Sequence, residues 1–172
     1  MNPYQSLHDY EEFVYTLLQQ FPSIASSTLI VIRRGGKMVT VSGEMVFPQG
    51  YRLVVKERLT FDTGSLALKR YGYEIWRSDK KLSWYDSQPH PHDPTLAVTN
   101  PHHKHIPPDI KHHRIPAPEL SFTRPNLPFL IREVEQLLKG GMVPWVVIPA
   151  EIFAGWTLTN GPFLVEIDGN YN

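Results

Sequence analysis

The chain of 172 residues contains no cysteine, which excludes disulfides and thiolate metal sites and is what a reducing cytoplasm permits. It also lacks any charge imbalance. Seventeen basic residues meet seventeen acidic ones, so no whole-molecule field draws in nucleic acid or an anionic membrane, and a nucleic-acid contact must rest on a local patch. No apolar run is long enough to span a membrane: the longest, Met142 to Leu158, is broken by Pro144 and Pro149 and carries Glu151. The first ten residues lack the basic start and apolar core of a signal peptide, so the expected compartment is the cytoplasm, with no membrane contact. Phosphate-binding loops, Gly-x-Gly-x-x-Gly, His-Glu-x-x-His and Gly-x-Ser-x-Gly are all absent, as is any internal repeat.

What the chain does have is histidine in one place. Seven of its eight histidines fall between His90 and His113, and ten of its sixteen prolines between Pro89 and Pro128. Imidazole titrates near neutral pH, so such a crowd suits proton transfer, phosphate contact or metal ligation. The proline content predicts a long loop rather than a helix or central strand.

Around this segment the pattern is regular. Ser6 and Asp9 mark a helix start, and Leu7, Tyr10, Val14, Leu17, Leu18 and Phe21 recur at helical spacing until Pro22. Alternation then predicts β segments over Thr28–Ile32, Met38–Ser42, Met45–Phe47, Tyr51–Phe61, Leu66–Trp76 and Leu82–Asp86, joined by short turns. A second helix is expected over Leu127–Lys139, closed by Gly140-Gly141. The expected fold is α+β: an antiparallel β-meander of about five to six strands, packed by an N-terminal and a C-terminal helix, with a long His/Pro-rich loop. Residues 1–139 form one domain in this reading, and 140–172 an apolar arm packed on that domain or on a partner.

Several residues stand out. Asp86 ends the strand just before the histidines, where a carboxylate can orient an imidazole or simply start a turn. Glu57 falls on the apolar face of its strand, which is costly without a cation or donor, unless a β-bulge turns it back to water. In His102-His103-Lys104-His105 an extended backbone sends His103 and His105 to one side and His102 and Lys104 to the other. Such a block is sufficient for cleaving RNA without metal: one imidazole takes a proton, another acid returns one, and Lys or Arg stabilises the phosphorane. The same residues offer a second reading, in which His90 and His92, or His103 and His105, join Asp86 or Asp93 around Zn²⁺ or another divalent ion; no cofactor is the favoured expectation. His112 and His113, beside Lys111 and Arg114, look like a basic surface patch. Tyr71, Tyr73, Trp76, Trp84 and Tyr85 form an aromatic band, expected as core more than as a base-stacking platform.

The runs Glu57-Arg-Leu-Thr-Phe-Asp-Thr-Gly-Ser65, Tyr71-Gly-Tyr-Glu-Ile-Trp76, Trp84-Tyr-Asp86, Pro89-His90 and Pro101-His-His-Lys-His-Ile106 together resemble the TumE family of bacterial toxin–antitoxin proteins, over Val54 to Lys139. The resemblance implies a small α+β toxin encoded beside an antitoxin, often one with a DNA-binding helix-turn-helix domain, and a nuclease activity on RNA. The positions that match are Glu57, Asp62, Gly64, Tyr73, Asp86, His90, His102, His103, Lys104 and His105. The helix before residue 25 and the arm after 140 extend beyond the part that carries the resemblance, and an extra Pro-rich segment, Ile106–Pro128, separates the His block from the last helix.

The expected activity is therefore a toxin-like ribonuclease. His102, His103, His105, Asp86 and Glu57 are the candidate catalytic residues, and Lys104, Arg58, Tyr73, His90 and Arg114 the candidate substrate contacts. The competing expectation is a non-enzymatic interaction or metal-binding module whose apolar arm, Val143–Pro149, covers a partner or a second copy of the chain in a homodimer.

Overall fold

A computed structural model of the chain describes residues 3–60 and 66–140. The turn containing Asp62 and Gly64 and the C-terminal arm, with the interface and homodimer expected of it, lie outside the described residues.

The first helix, α1 (Leu7–Gln20), begins where Ser6 Oγ accepts the backbone N–H of Asp9, which satisfies one of the orphan donors at a helix start. It buries Tyr10, Val14 and Leu17. Eight strands follow: β1 (Ser26–Ser27), β2 (Ile30–Arg34), β3 (Met38–Val46), β4 (Tyr51–Thr60), β5 (Ala67–Arg77), β6 (Lys80–Asp86), β7 (His103–His105) and β8 (Arg114–Pro116). The second helix, α2 (Leu127–Leu138), buries Leu127, Leu130, Ile131 and Val134.

All strand pairs are antiparallel, in the order β1-β3-β4-β5-β6-β7-β8, with β2 also pairing with β3. Both helices pack on one face, over Leu53, Val55, Leu59, Tyr73 and Ile75, each buried completely. The other face carries the polar alternates, and among the described residues neither helix packs on it. The α+β meander expected from the sequence is the observed core of the sheet.

The count of five to six strands needs correction, because the expected His/Pro loop supplies two more. Pro101 and Pro107 bracket His103–His105 without interrupting it, so every N–H the ladder needs is present, and β7 pairs on both sides, with β6 and with β8. Pro116 lies on β8, the edge strand, where a missing N–H costs nothing. The segment between β6 and β7 folds into a short 3₁₀ helix, Pro94–Thr99, that buries Leu96.

Candidate functional site

Registry across the sheet brings the polar alternates together. One row on the open face reads Ser42, Lys56, Gly72, Asp86, His103, and the row beside it Val54, Glu74, Trp84, His105, Arg114. Asp86 is thereby directly opposite His103 and diagonal to His105.

The three side chains meet. Asp86 Oδ1 is 3.1 Å from His103 Nε2, Asp86 Oδ2 is 3.5 Å from His105 Nε2, and the two Nε2 atoms are 3.1 Å apart. All three residues are buried. His103 Nδ1 donates to the carbonyl of Pro101 at 3.0 Å; a carbonyl only accepts, so the hydrogen of a neutral ring sits on Nδ1 and Nε2 presents its lone pair to Asp86. His105 stacks on Trp84, ring centroids 4.2 Å apart, and the rings of His90 and His103 meet in a T-shaped contact with centroids 4.7 Å apart. His105 Nδ1 is buried without a partner among the described residues.

Electrostatics follow from this packing. Burial alone would raise the Asp86 carboxyl, but the hydrogen bond from His105, the N–H of Gln88 and the charges of His103 and His105 outweigh it and hold it below the usual carboxylate value. Burial lowers His103 below the ordinary imidazole value; the Pro101 carbonyl and Asp86 push back, while His105 and His90 add to the lowering. Asp86 also accepts the Gln88 N–H at 2.8 Å, so it starts the turn as well as orienting the imidazoles.

From Asp86 a groove of about 540 Å³ runs over the open face. Lys56, Arg58, Arg70 and Arg34 line it, with Trp84 as a wall and Glu74 among its acids. Gly72 keeps the floor low between Lys56 and Asp86. Among the described residues no carboxylate pairs with Lys56, Arg58 or Arg70, whereas Glu74 is held by Lys81 at 3.0 Å.

The remaining sequence candidates lie elsewhere. Glu57 stays on the helix-covered face: the sheet does slip register between Arg58 and Leu59, but beyond Glu57, so the bulge does not turn it to water. The hydroxyls of Tyr10 and Tyr73 both donate to it, Tyr73 at 2.6 Å, and Asn126 Nδ2 donates to the Tyr73 oxygen at 3.2 Å. Burial raises the Glu57 pKa, and the two hydroxyl donors oppose that shift. Lys104 also turns inward, its Nζ 2.6 Å from Glu133 Oε1, while Tyr85 donates to Glu133 Oε2 at 2.6 Å. His102 Nδ1 pairs with the Tyr71 hydroxyl at 2.7 Å. The structure thus gathers Asp86, His103, His105, His90 and Arg58 on the open side and leaves Glu57, Tyr73, His102 and Lys104 on the core side. Arg114 is half-buried beside His105 in the ladder, and His112 pairs with Asp109 at the surface.

Sequence reasoning missed Lys56, Arg70 and Glu133. Lys56 was legible on the polar face of its strand, and Glu133 falls three residues after Leu130 on the apolar stripe of α2; Arg70 was hidden by the irregularity in β5. Of the aromatic band, Tyr71, Tyr73 and Tyr85 are core as expected, whereas Trp76 and Trp84 lie half-buried on the open face.

The family model described as Toxin TumE matches residues 14–138, nearly three quarters of the chain. The match takes in the second half of α1 and strands β1 to β3, so the likeness begins well before Val54, where the stretch marked by the residue motifs starts. No curated protein and no solved structure matches the chain. No helix of the described residues is long and apolar enough to cross a membrane.

Proposed function

The chain belongs to the TumE toxin family, and from that premise we propose that it is a ribonuclease toxin whose reactive centre is Asp86, His103 and His105. One observation carries the reading: two buried imidazoles are held by one carboxylate at the end of a groove whose cations have no carboxylate partner among the described residues. A chain of phosphodiesters is the anion such a groove suits, and single-stranded RNA supplies its own nucleophile.

In the reaction the 2′-oxygen attacks phosphorus and the bond from phosphorus to the 5′-oxygen breaks. An imidazole of the pair takes the 2′-hydroxyl proton, and the other returns a proton to the departing 5′-oxygen. The products are a 2′,3′-cyclic phosphate and a 5′-hydroxyl. Lys56, Arg58 and Arg70 stabilise the charge on the phosphorane, the role first expected of Lys104. An antitoxin is the partner that membership of a toxin family supports, and the cytoplasm the compartment where such a substrate is met.

The test is cleavage of RNA, and of DNA of the same sequence, by purified protein and by Asp86→Asn. RNA cut to a cyclic phosphate, with intact DNA and a variant slowed roughly 100-fold or more, is the expected result. RNA left whole by folded wild-type protein would end the enzyme reading.

A further inference from the structure

We infer that Asp86, His103 and His105 form a binding site for a divalent transition-metal cation of the Zn²⁺ class, with an open coordination position facing the groove. The inference rests on the reading of this triangle as the reactive centre, and it replaces an imidazole by a cation as the group that handles the substrate.

The first argument is geometric. Ligands bound at about 2.0–2.1 Å around a tetrahedral ion stand roughly 3.3 Å from one another. Here the two Nε2 atoms are 3.1 Å apart, and the two oxygens of Asp86 bracket them, Oδ1 3.1 Å from His103 and Oδ2 3.5 Å from His105, so that one atom from each residue lies within 4.8 Å of the other two. Each residue offers one ligating atom, and the three residues are the cluster of ligating side chains found among the described residues.

The second argument is the hydrogen count. Pro101 fixes the hydrogen of His103 on Nδ1, so a neutral ring aims a lone pair at a carboxylate oxygen that has only lone pairs of its own. His105 Nδ1 has no partner among the described residues, so the hydrogen of a neutral His105 sits on Nε2, between Asp86 Oδ2 and His103 Nε2. That single hydrogen can serve only one of two acceptors, so the lone pairs of His103 Nε2 and Asp86 Oδ1, 3.1 Å apart, still face each other, and a cation at the centre would remove that repulsion. A backbone carbonyl on the far nitrogen of a metal-binding histidine is the usual way such a ring is oriented.

The third argument is the setting. Catalytic zinc keeps three protein ligands and leaves a position open, and two imidazoles with one carboxylate make such a set. Asp86 lines the groove, so the free position opens toward the cationic floor. An ion there would lower the pKa of a bound water; the resulting hydroxide would take the 2′-proton as the 2′-oxygen attacks phosphorus, and the water so formed would return a proton to the 5′-oxygen as its bond to phosphorus breaks.

The experiment uses the full chain without a histidine tag. Metal content after dialysis against ZnCl₂, and calorimetric titration with Zn²⁺, are measured for wild type, Asp86→Asn, His103→Ala and His105→Ala, with the double variant His112→Ala/His113→Ala as a surface control. One ion per chain is expected in wild type and control, with affinity reduced roughly 100-fold or more in each triangle variant. Because a buried alanine variant can fail to fold, the Zn²⁺-dependent rise in melting temperature is compared between wild type and the closely isosteric Asp86→Asn; the rise should vanish in the variant. No stoichiometric binding by wild type, or equal binding by folded Asp86→Asn, would overturn the inference. Zinc bound without RNA cleavage leaves the site standing and removes the ribonuclease; cleavage in EDTA by metal-free protein does the reverse.

Discussion

Lys104 lies between the two histidines of the centre, yet replacing it should cost stability and spare chemistry. Its Nζ is 2.6 Å from Glu133, and the side chains are only 12% and 3% exposed. Lys104→Met leaves the Glu133 carboxylate buried with only the Tyr85 hydroxyl as donor, and an ion pair broken in this way costs about 3–5 kcal/mol. With an unfolding entropy of about 2.1 cal/mol/K per residue, a domain of this size should melt roughly 10 to 17 °C lower. Adding Glu133→Gln removes the stranded charge and keeps an oxygen for Tyr85, so the double variant should recover most of that stability. The assay is thermal denaturation of the two single variants, the double variant and wild type, followed by RNA cleavage per folded molecule at a temperature where all four are native. A Lys104→Met protein that melts within about 1 kcal/mol of wild type but no longer cleaves RNA would refute this assignment and return Lys104 to the phosphate.

Burial raises the folded pKa of Glu57, so its contribution to stability is complete below the unfolded value of 4.5 and is lost as pH rises through the folded value. Glu57→Gln should therefore gain on wild type as pH rises above 4.5, read by denaturant unfolding at a series of pH values; a difference flat with pH contradicts the burial of that charge. Replacing Lys56, Arg58 or Arg70 by alanine should weaken RNA binding and flatten its salt dependence by about 0.7 in log–log slope for each phosphate no longer neutralised. All three side chains are exposed, so melting temperature should not move. Trp84→Ala removes the ring stacked on His105 and should cost about 0.5–1.5 kcal/mol beyond the burial it forfeits, with slower cleavage, whereas Trp84→Phe should keep most of both.

The central sheet and both helices were legible because their side chains repeat with the period of the element they build. Tyr51 to Thr60 alternates as its burial does, and the apolar positions of α1 and α2 are the ones that face the core. The same alternation correctly divided His103 and His105 from His102 and Lys104. What it could not give was the partner strand: β7 is three residues long between prolines, too short to show a period, and it exists because β6 and β8 pair with it. Local pattern was also silent on which side of β6 is covered. Trp84 and Asp86 share the open face, whereas Leu82, at the register slip between β5 and β6, packs against the core; the helices lie over Tyr85, which leaves Trp84 as the wall of a groove. Glu57 was rightly flagged as costly; the donors that satisfy it, Tyr10 and Tyr73, come from 47 residues before and 16 after, and only the fold unites them.

The two neighbouring histidines His102 and His103 provide the most direct measurement, since they differ in the face of the sheet they occupy. RNA cleavage rates of folded His102→Ala and His103→Ala, measured side by side on one substrate, should fall within a few-fold of wild type for the first and by a factor of about 10² or more for the second. A rate abolished by His102→Ala and kept by His103→Ala would place the chemistry on the core face and contradict the centre assigned to Asp86, His103 and His105.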